Sequence, residues 1–213
     1  MKKYALLLLI MFMGYHMSSF AQAVDDRAVV PVSVTLNSIL RLNVESGGNI
    51  EFNFNTLEQY KNGINGITQD RYSTEITVAS SVNWDLRMGA EDGHLVSTDV
   101  EDTTTTAGTM PLDYIVYQTS ITASGGEAIT TTEVDIPSNS TPQALEQIST
   151  ASDVIACVSG QSNAGGIEQN AFKIDWACGD PTITASRGSL LGSNLTGGRY
   201  STNVFFILQP ADF

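Results

Sequence analysis

A chain of 213 residues with 10 Lys and Arg against 23 Asp and Glu, net charge −13, repels nucleic acid and anionic lipid surfaces. Its length suits one large β domain or two small ones. Two histidines and two cysteines leave little material for nucleophilic triads or zinc clusters.

Residues 1–23 read as a secretory signal peptide. Lys2 and Lys3 make a positive start, residues 5–13 (ALLLLIMFM) form a short apolar run, and Ala21-Gln22-Ala23 places small residues before a cut after Ala23. Cleavage after Ala21 is the alternative. The run is too short for stable membrane insertion, so a secreted or cell-surface location is expected. No linker composition interrupts the remaining chain, and residues 24–213 are read as one domain.

The first element spans residues 30–44. Val30, Val32, Val34, Leu36, Leu40, Leu42 and Val44 share one parity, interrupted by Ser38, against a mostly polar partner parity. Successive strand side chains point to opposite faces, so this is the pattern of a half-buried strand. Fully extended it would run about 50 Å, against a usual strand of about 5–6 residues. Either it bends at Asn37-Ser38 or its first half leaves its own domain.

Ile50, Phe52 and Phe54 predict a second strand. Asn62-Gly63 and Asn65-Gly66 make residues 56–70 a loop, with a helical turn near residues 57–60. Residues 72–78 and 82–88 alternate as two strands. Residues 89–108 form a polar, acidic excursion that contains four consecutive threonines from Thr103. Residues 112–119 and a Thr-rich segment at 128–136 read as strands. Thr141-Pro142 offers an N-cap and a proline at the first helical position, so residues 143–148 are expected to form the chain's one short helix.

Residues 154–158 and 172–178 come next as strands, and Gly197-Gly198 launches the last, over 200–208. About nine strands and one short helix indicate an all-β, antiparallel β-sandwich. It is immunoglobulin-like only in the loose sense, because Trp176 lies two residues before Cys178 rather than between two distant cysteines.

In an exported chain the pair Cys157 and Cys178 reads as a disulfide, closing a loop of about 20 residues for roughly 3 kcal/mol. Two free buried thiols are the other reading. His94 follows Glu91-Asp92-Gly93 and reads as an exposed loop histidine. No nucleophile elbow, Gly-rich nucleotide loop or zinc spacing is present. Asp85, the best carboxylate for hydrolytic chemistry, reads more simply as a solvated strand residue.

No cofactor is expected. Calcium is the one exception that the loops allow, through Glu91, Asp92, Asp99, Glu101 and Asp102, but solvated loop charge is the favoured account. Trp84 and Trp176 fall on apolar parities and read as core. Tyr60 and Tyr117 are the better candidates for stacking on a sugar. Asp102-Thr103-Thr104 resembles an O-glycosylation pattern of exported Bacteroidota proteins, with plain polar loop as the alternative.

The alternating start at residues 30–44, the strand NAFKIDWAC at 170–178 and the Gly198-Arg199-Tyr200 entry into the last strand resemble small secreted β-sandwich proteins of Bacteroidota. More loosely, the Gly-x-Tyr launch is similar to the closing strand of bacterial pilin and surface-fibre subunits. The acidic loop and the late cysteine pair depart from chaperone–usher pilins. The resemblance implies an extracellular structural or adhesive role without catalysis.

Two roles compete. The first is a surface filament or matrix subunit that assembles with its own kind, or with other surface proteins, by exchanging terminal strands. The second is a glycan- or protein-binding adhesion module, with or without the assistance of calcium. The candidate assembly strands are Val30, Val32, Val34 and Leu36 at one end and Val204, Phe205, Phe206, Ile207 and Leu208 at the other. The second group is apolar on both parities, so both of its faces are expected to be covered. The cover would be either the first segment of another subunit or the 56–70 loop.

Overall fold

The computed structural model describes residues 31–68, 71–99, 108–183, 189–193 and 195–211. Its contacts separate Met1–Leu36 from Asn37–Phe213. In the first unit, residues 31–36 lie outside any sheet and are exposed.

The second unit is built on period-two burial. In Ser73–Ser80 (β3), Thr74, Ile76, Val78 and Ser80 are buried while their neighbours are not. In Trp84–Ala90 (β4), Trp84, Leu86 and Met88 are buried. In Ala171–Cys178 (β11), Phe172 and Ile174 alternate in the same way, and from Asp175 onward every residue is buried. The chain is all-β, with thirteen strands in three antiparallel sheets among the described residues and one short α-helix.

The first sheet runs β1-β3-β11-β7-β9, where β1 is Leu40–Ser46, β7 is Ile115–Ile121 and β9 is Gln143–Ala144. Ile64–Asn65 (β2) also pairs with β11. The second sheet runs β13-β4-β10-β8, with β8 at Val134–Asp135, β10 at Asp153–Cys157 and β13 at Val204–Pro210. The third is small: Tyr200–Ser201 (β12), His94–Ser97 (β5) and Thr109–Pro111 (β6), in the order β12-β5-β6. Inner faces of the two large sheets share one core, in which Trp84 of β4 meets Phe172 of β11 edge-on at 5.9 Å.

Several local expectations are corrected. The strand expected over residues 30–44 begins only at Leu40, and Val30 lies outside the described residues. Ile50, Phe52 and Phe54 do alternate into the core, but their segment joins no sheet. Only two residues of the Thr-rich segment, Val134–Asp135, enter a ladder. The four threonines from Thr103 lie outside the described residues.

The helix expected at 143–148 is absent. Gln143 and Ala144 pair with Tyr117 and Val116, Leu145 donates its N–H to Ile115 O at 2.8 Å, and Ile148 donates to Ala90 O at 2.8 Å. The segment stays extended because distant strands satisfy its backbone better than a single helical turn would.

The helix sits instead at Leu57–Asn62 (α1). Thr56 Oγ1 accepts from the Gln59 N–H at 3.2 Å and Gln59 Oε1 accepts from the Thr56 N–H at 3.1 Å, a complete capping box. Gly63 ends it at φ 75°, where a Cβ would also strike the Gly179–Asp180 backbone.

The expected disulfide is not formed: Cys157 and Cys178 are both free and buried. They end strands of different sheets. Cys157 stands opposite Val134 of β8, while Cys178 stands between Ile115 of β7 and Ile64 of β2. Burial pushes the Cys178 thiol up to about 12 and also raises that of Cys157.

Candidate assembly site

β13 begins where Asn203 anchors the chain. Its Nδ2 donates to Glu91 Oε2 at 2.6 Å, and its carbonyl accepts the Glu91 N–H at 2.8 Å. From there β13 pairs with β4 residue for residue, from Val204 opposite Ala90 to Pro210 opposite Trp84. It is the end strand of its sheet, so its other edge is unpaired by any described strand. Val204, Phe206 and Leu208 pack against the core. Phe205 and Ile207, on the opposite parity, are 43% and 45% exposed. Within one chain these two side chains are therefore open to solvent, and the described part of the 56–70 loop does not cover them.

At the other end, Val32, Val34 and Leu36 are 85%, 77% and 89% exposed. All three lie on one parity of an uncharged stretch, Pro31 to Leu36 (PVSVTL). Water-facing Val-x-Val-x-Leu is an apolar strip without a covering layer, and single exposed apolar residues are ordinary where such strips are not.

The second unit has a cleft of about 640 Å³, lined by residues of all three sheets. One wall is the unladdered segment 47–54, with Ile50, Phe52 and Phe54. The other is residues 195–206, with Leu195, Val204 and Phe206. Trp176 and Cys178 of β11 also line it. Phe52 is fixed against Tyr72 at 4.7 Å and Phe54 against Tyr60 at 5.4 Å. Glu51 and Arg199 are the charged residues of the lining. The sequence gives no sign of Leu195 as a wall residue, because residues 189–199 have no apolar period. Ile50, Phe52 and Phe54 could be read from their alternation, although as strand residues.

The other candidates have structural surroundings. Asp85 Oδ1 accepts the Cys157 N–H at 2.8 Å, tying β4 to β10. His94 is a half-buried strand residue opposite Pro111, not part of an open loop. Asp99 Oδ2 accepts the Arg199 N–H at 2.7 Å. Glu101 and Asp102 lie outside the described residues. Among the described residues no group of three or more His, Cys, Asp or Glu could hold a metal ion.

Trp84 and Trp176 are core residues, 0% and 5% exposed. Tyr117 packs on Trp176 at 6.0 Å, and burial, followed by the charge of Glu146, pushes its hydroxyl up to about 12. Tyr60, 39% exposed, lies on α1 beside Phe54. No described helix is long and apolar enough to cross a membrane. Neither protein-family models nor curated proteins match this chain.

Proposed function

We propose that the protein is a non-catalytic, extracellular structural subunit that assembles with copies of itself by adding the N-terminal segment of one subunit to the sheet of another. The observation that carries this reading is the pairing of two unsatisfied features. Residues 31–36 expose an alternating apolar strip, and β13 offers an unpaired edge. An unpaired edge presents a row of N–H and C=O groups that templates another strand, and main-chain hydrogen bonds plus alternate side chains then supply affinity and register. Donation from each copy to the next is head-to-tail, so the contact propagates into a filament unless the rotation closes a ring.

The signal-peptide pattern supports export, and the acidic surface suits solubility before assembly. The test compares the chain from Val24 onward with one lacking residues 24–36, by size-exclusion chromatography and negative-stain microscopy. Filaments or large oligomers are expected only from the first. A full-length chain that stays monomeric at high concentration would remove this reading and favour an adhesion module that binds glycan or protein.

A further inference from the structure

We infer that the cleft binds a single-chain amphiphile, with its aliphatic chain between residues 50–54 and 195–206 and a carboxylate head at Arg199. Protein interiors are close-packed, so about 640 Å³ left open down to Trp176 and Cys178 is space that the described chain does not fill. That volume falls within the range of about 300–1,000 Å³ usual for small-molecule sites. The buried part of the lining includes Leu95, Met110, Ile115, Leu145 and Leu190, whose side chains carry no N–H or O–H. Two aromatic residues of the lining have their polar atoms engaged. Trp176 Nε1 donates to Thr74 Oγ1 at 3.0 Å, and the Tyr200 hydroxyl donates to the Thr196 carbonyl at 2.8 Å. Such walls would leave the hydroxyls of a buried sugar without partners, whereas methylene groups gain by entering them.

One wall is built to yield to an occupant. Residues 49–54 belong to no sheet, and their backbone N–H groups meet no hydrogen-bond acceptor among the described residues. Packing of Ile50, Phe52 and Phe54 holds this strap against the core, with Phe52 on Tyr72 and Phe54 on Tyr60. Both of its ends are tethered. Thr74 Oγ1 donates to the Gly47 carbonyl at 2.8 Å, and Gln59 Oε1 accepts the Asn55 N–H at 2.7 Å. A tethered segment with apolar contacts and no ladder bonds shifts at little cost. The head group follows from charge. Arg199 is the cationic residue of the lining. Its N–H donates to Asp99 Oδ2 at 2.7 Å and its carbonyl accepts the Thr98 N–H at 2.9 Å, so its main chain is fixed. Its guanidinium has no partner among the described residues. A guanidinium fork matches a carboxylate with two parallel N–H···O bonds. Glu51, the other charged residue of the lining, lies on the exposed parity of the strap, away from Ile50 and Phe52.

The test titrates the chain from Val24 onward with decanoate by isothermal calorimetry, and repeats the titration with decanol and with decyltrimethylammonium. Saturable one-to-one binding of decanoate is expected, with a negative heat-capacity change. Decanol should bind about threefold to tenfold more weakly, and the ammonium more weakly still. Bromine at the far end of decanoate should quench tryptophan fluorescence, because Trp176 lines the cleft. Arg199→Gln should lower decanoate affinity to that of decanol and leave decanol unchanged. Leu195→Trp, a bulkier residue on a loop wall, should keep the wild-type circular dichroism and weaken decanoate roughly tenfold or more. No saturable binding, or binding that neither Leu195→Trp nor bromine quenching places in the cleft, would overturn the site. Equal affinity for the carboxylate and the ammonium, or an Arg199→Gln variant that binds decanoate as before, would overturn the carboxylate assignment. Binding is read apart from oligomeric size, so its loss would leave the assembly proposal standing.

Discussion

Asn163 is 2% exposed, and its side chain answers both main-chain groups of Trp84. Its Oδ1 accepts the Trp84 N–H at 2.9 Å, and its Nδ2 donates to the Trp84 carbonyl at 2.7 Å. The Asn163 carbonyl in turn accepts the indole N–H of Trp84 at 2.9 Å and an Asn170 amide at 3.1 Å. A side chain here takes the place of a neighbouring strand, so the first residue of β4 enters the core with no orphaned group. Asn163→Ala should leave the Trp84 N–H and carbonyl buried without partners, at about 2–4 kcal/mol, read as a lowered urea midpoint. Loss of less than about 0.5 kcal/mol would mean that water reaches these groups. In the sequence, Asn163 is one polar residue in a Gly/Ser/Asn-rich loop, with nothing local to mark it.

At the level of elements, β4 and β10 pair with a slip. Asp153 stands opposite Arg87 and Ile155 opposite Leu86, so the ladder is irregular between them. The pair holds past the slip through side chains. Arg87 Nε meets Asp153 Oδ1 at 3.2 Å, and Asp85 takes the Cys157 N–H. The ion pair is partly exposed and adds little, whereas the bond from Asp85 answers a backbone donor that the slipped ladder leaves over. Asp85→Ala should cost about 1–3 kcal/mol, and Asp85→Asn, which keeps an acceptor oxygen, should recover most of it in the same denaturation series. Equal losses in both variants would point to charge rather than to the hydrogen bond. A strand carboxylate that looked like solvated surface, or at most a hydrolytic candidate, thus serves the joint between two strands.

For the whole molecule, the buried thiol of Cys178 and the hydroxyl of Tyr117 link stability to alkaline pH. The native state holds the Cys178 proton to about 12, against an ordinary value of 9.0, and the Tyr117 proton to about 12, against 10.0. Between those limits the unfolded chain has lost protons that the native chain keeps. The unfolded state binds fewer protons there, so stability falls as pH rises. The contribution is complete below about pH 9 and is lost through about pH 12. Urea midpoints should be flat near pH 8 and decline from about pH 9 to 11. With Cys178→Ala the decline should begin about one unit later, leaving the tyrosine window. A midpoint independent of pH up to 11 would show that these groups are solvated in the native state.

Period-two alternation is a local property, because a side chain's face depends only on its place along the strand. The all-β class, the inward faces of β3, β4 and β11, and both tryptophans in the core could therefore be read from the residues alone. Partnership is not local. Ile50, Phe52 and Phe54 alternate as well as any strand, but a strand also needs a neighbour's N–H and C=O groups, and no sheet supplies them here. Six-residue segments are too short to hold helix or strand by propensity. Residues 143–148 follow their contacts with Ile115 and Ala90, whereas Leu57–Asn62 is helical behind a capping box that Thr56 and Gln59 spell out in the sequence. Cysteine count likewise says nothing of where each strand ends, and in the fold Cys157 and Cys178 are both free and buried, on different strands. The shared parity of Val32, Val34 and Leu36 could be read from the residues, as one face of a half-buried strand. That these side chains are exposed, and that β13 ends its hydrogen-bonded sheet, came only from the tertiary structure, because strand pairing is a matter of position in space and not of local sequence.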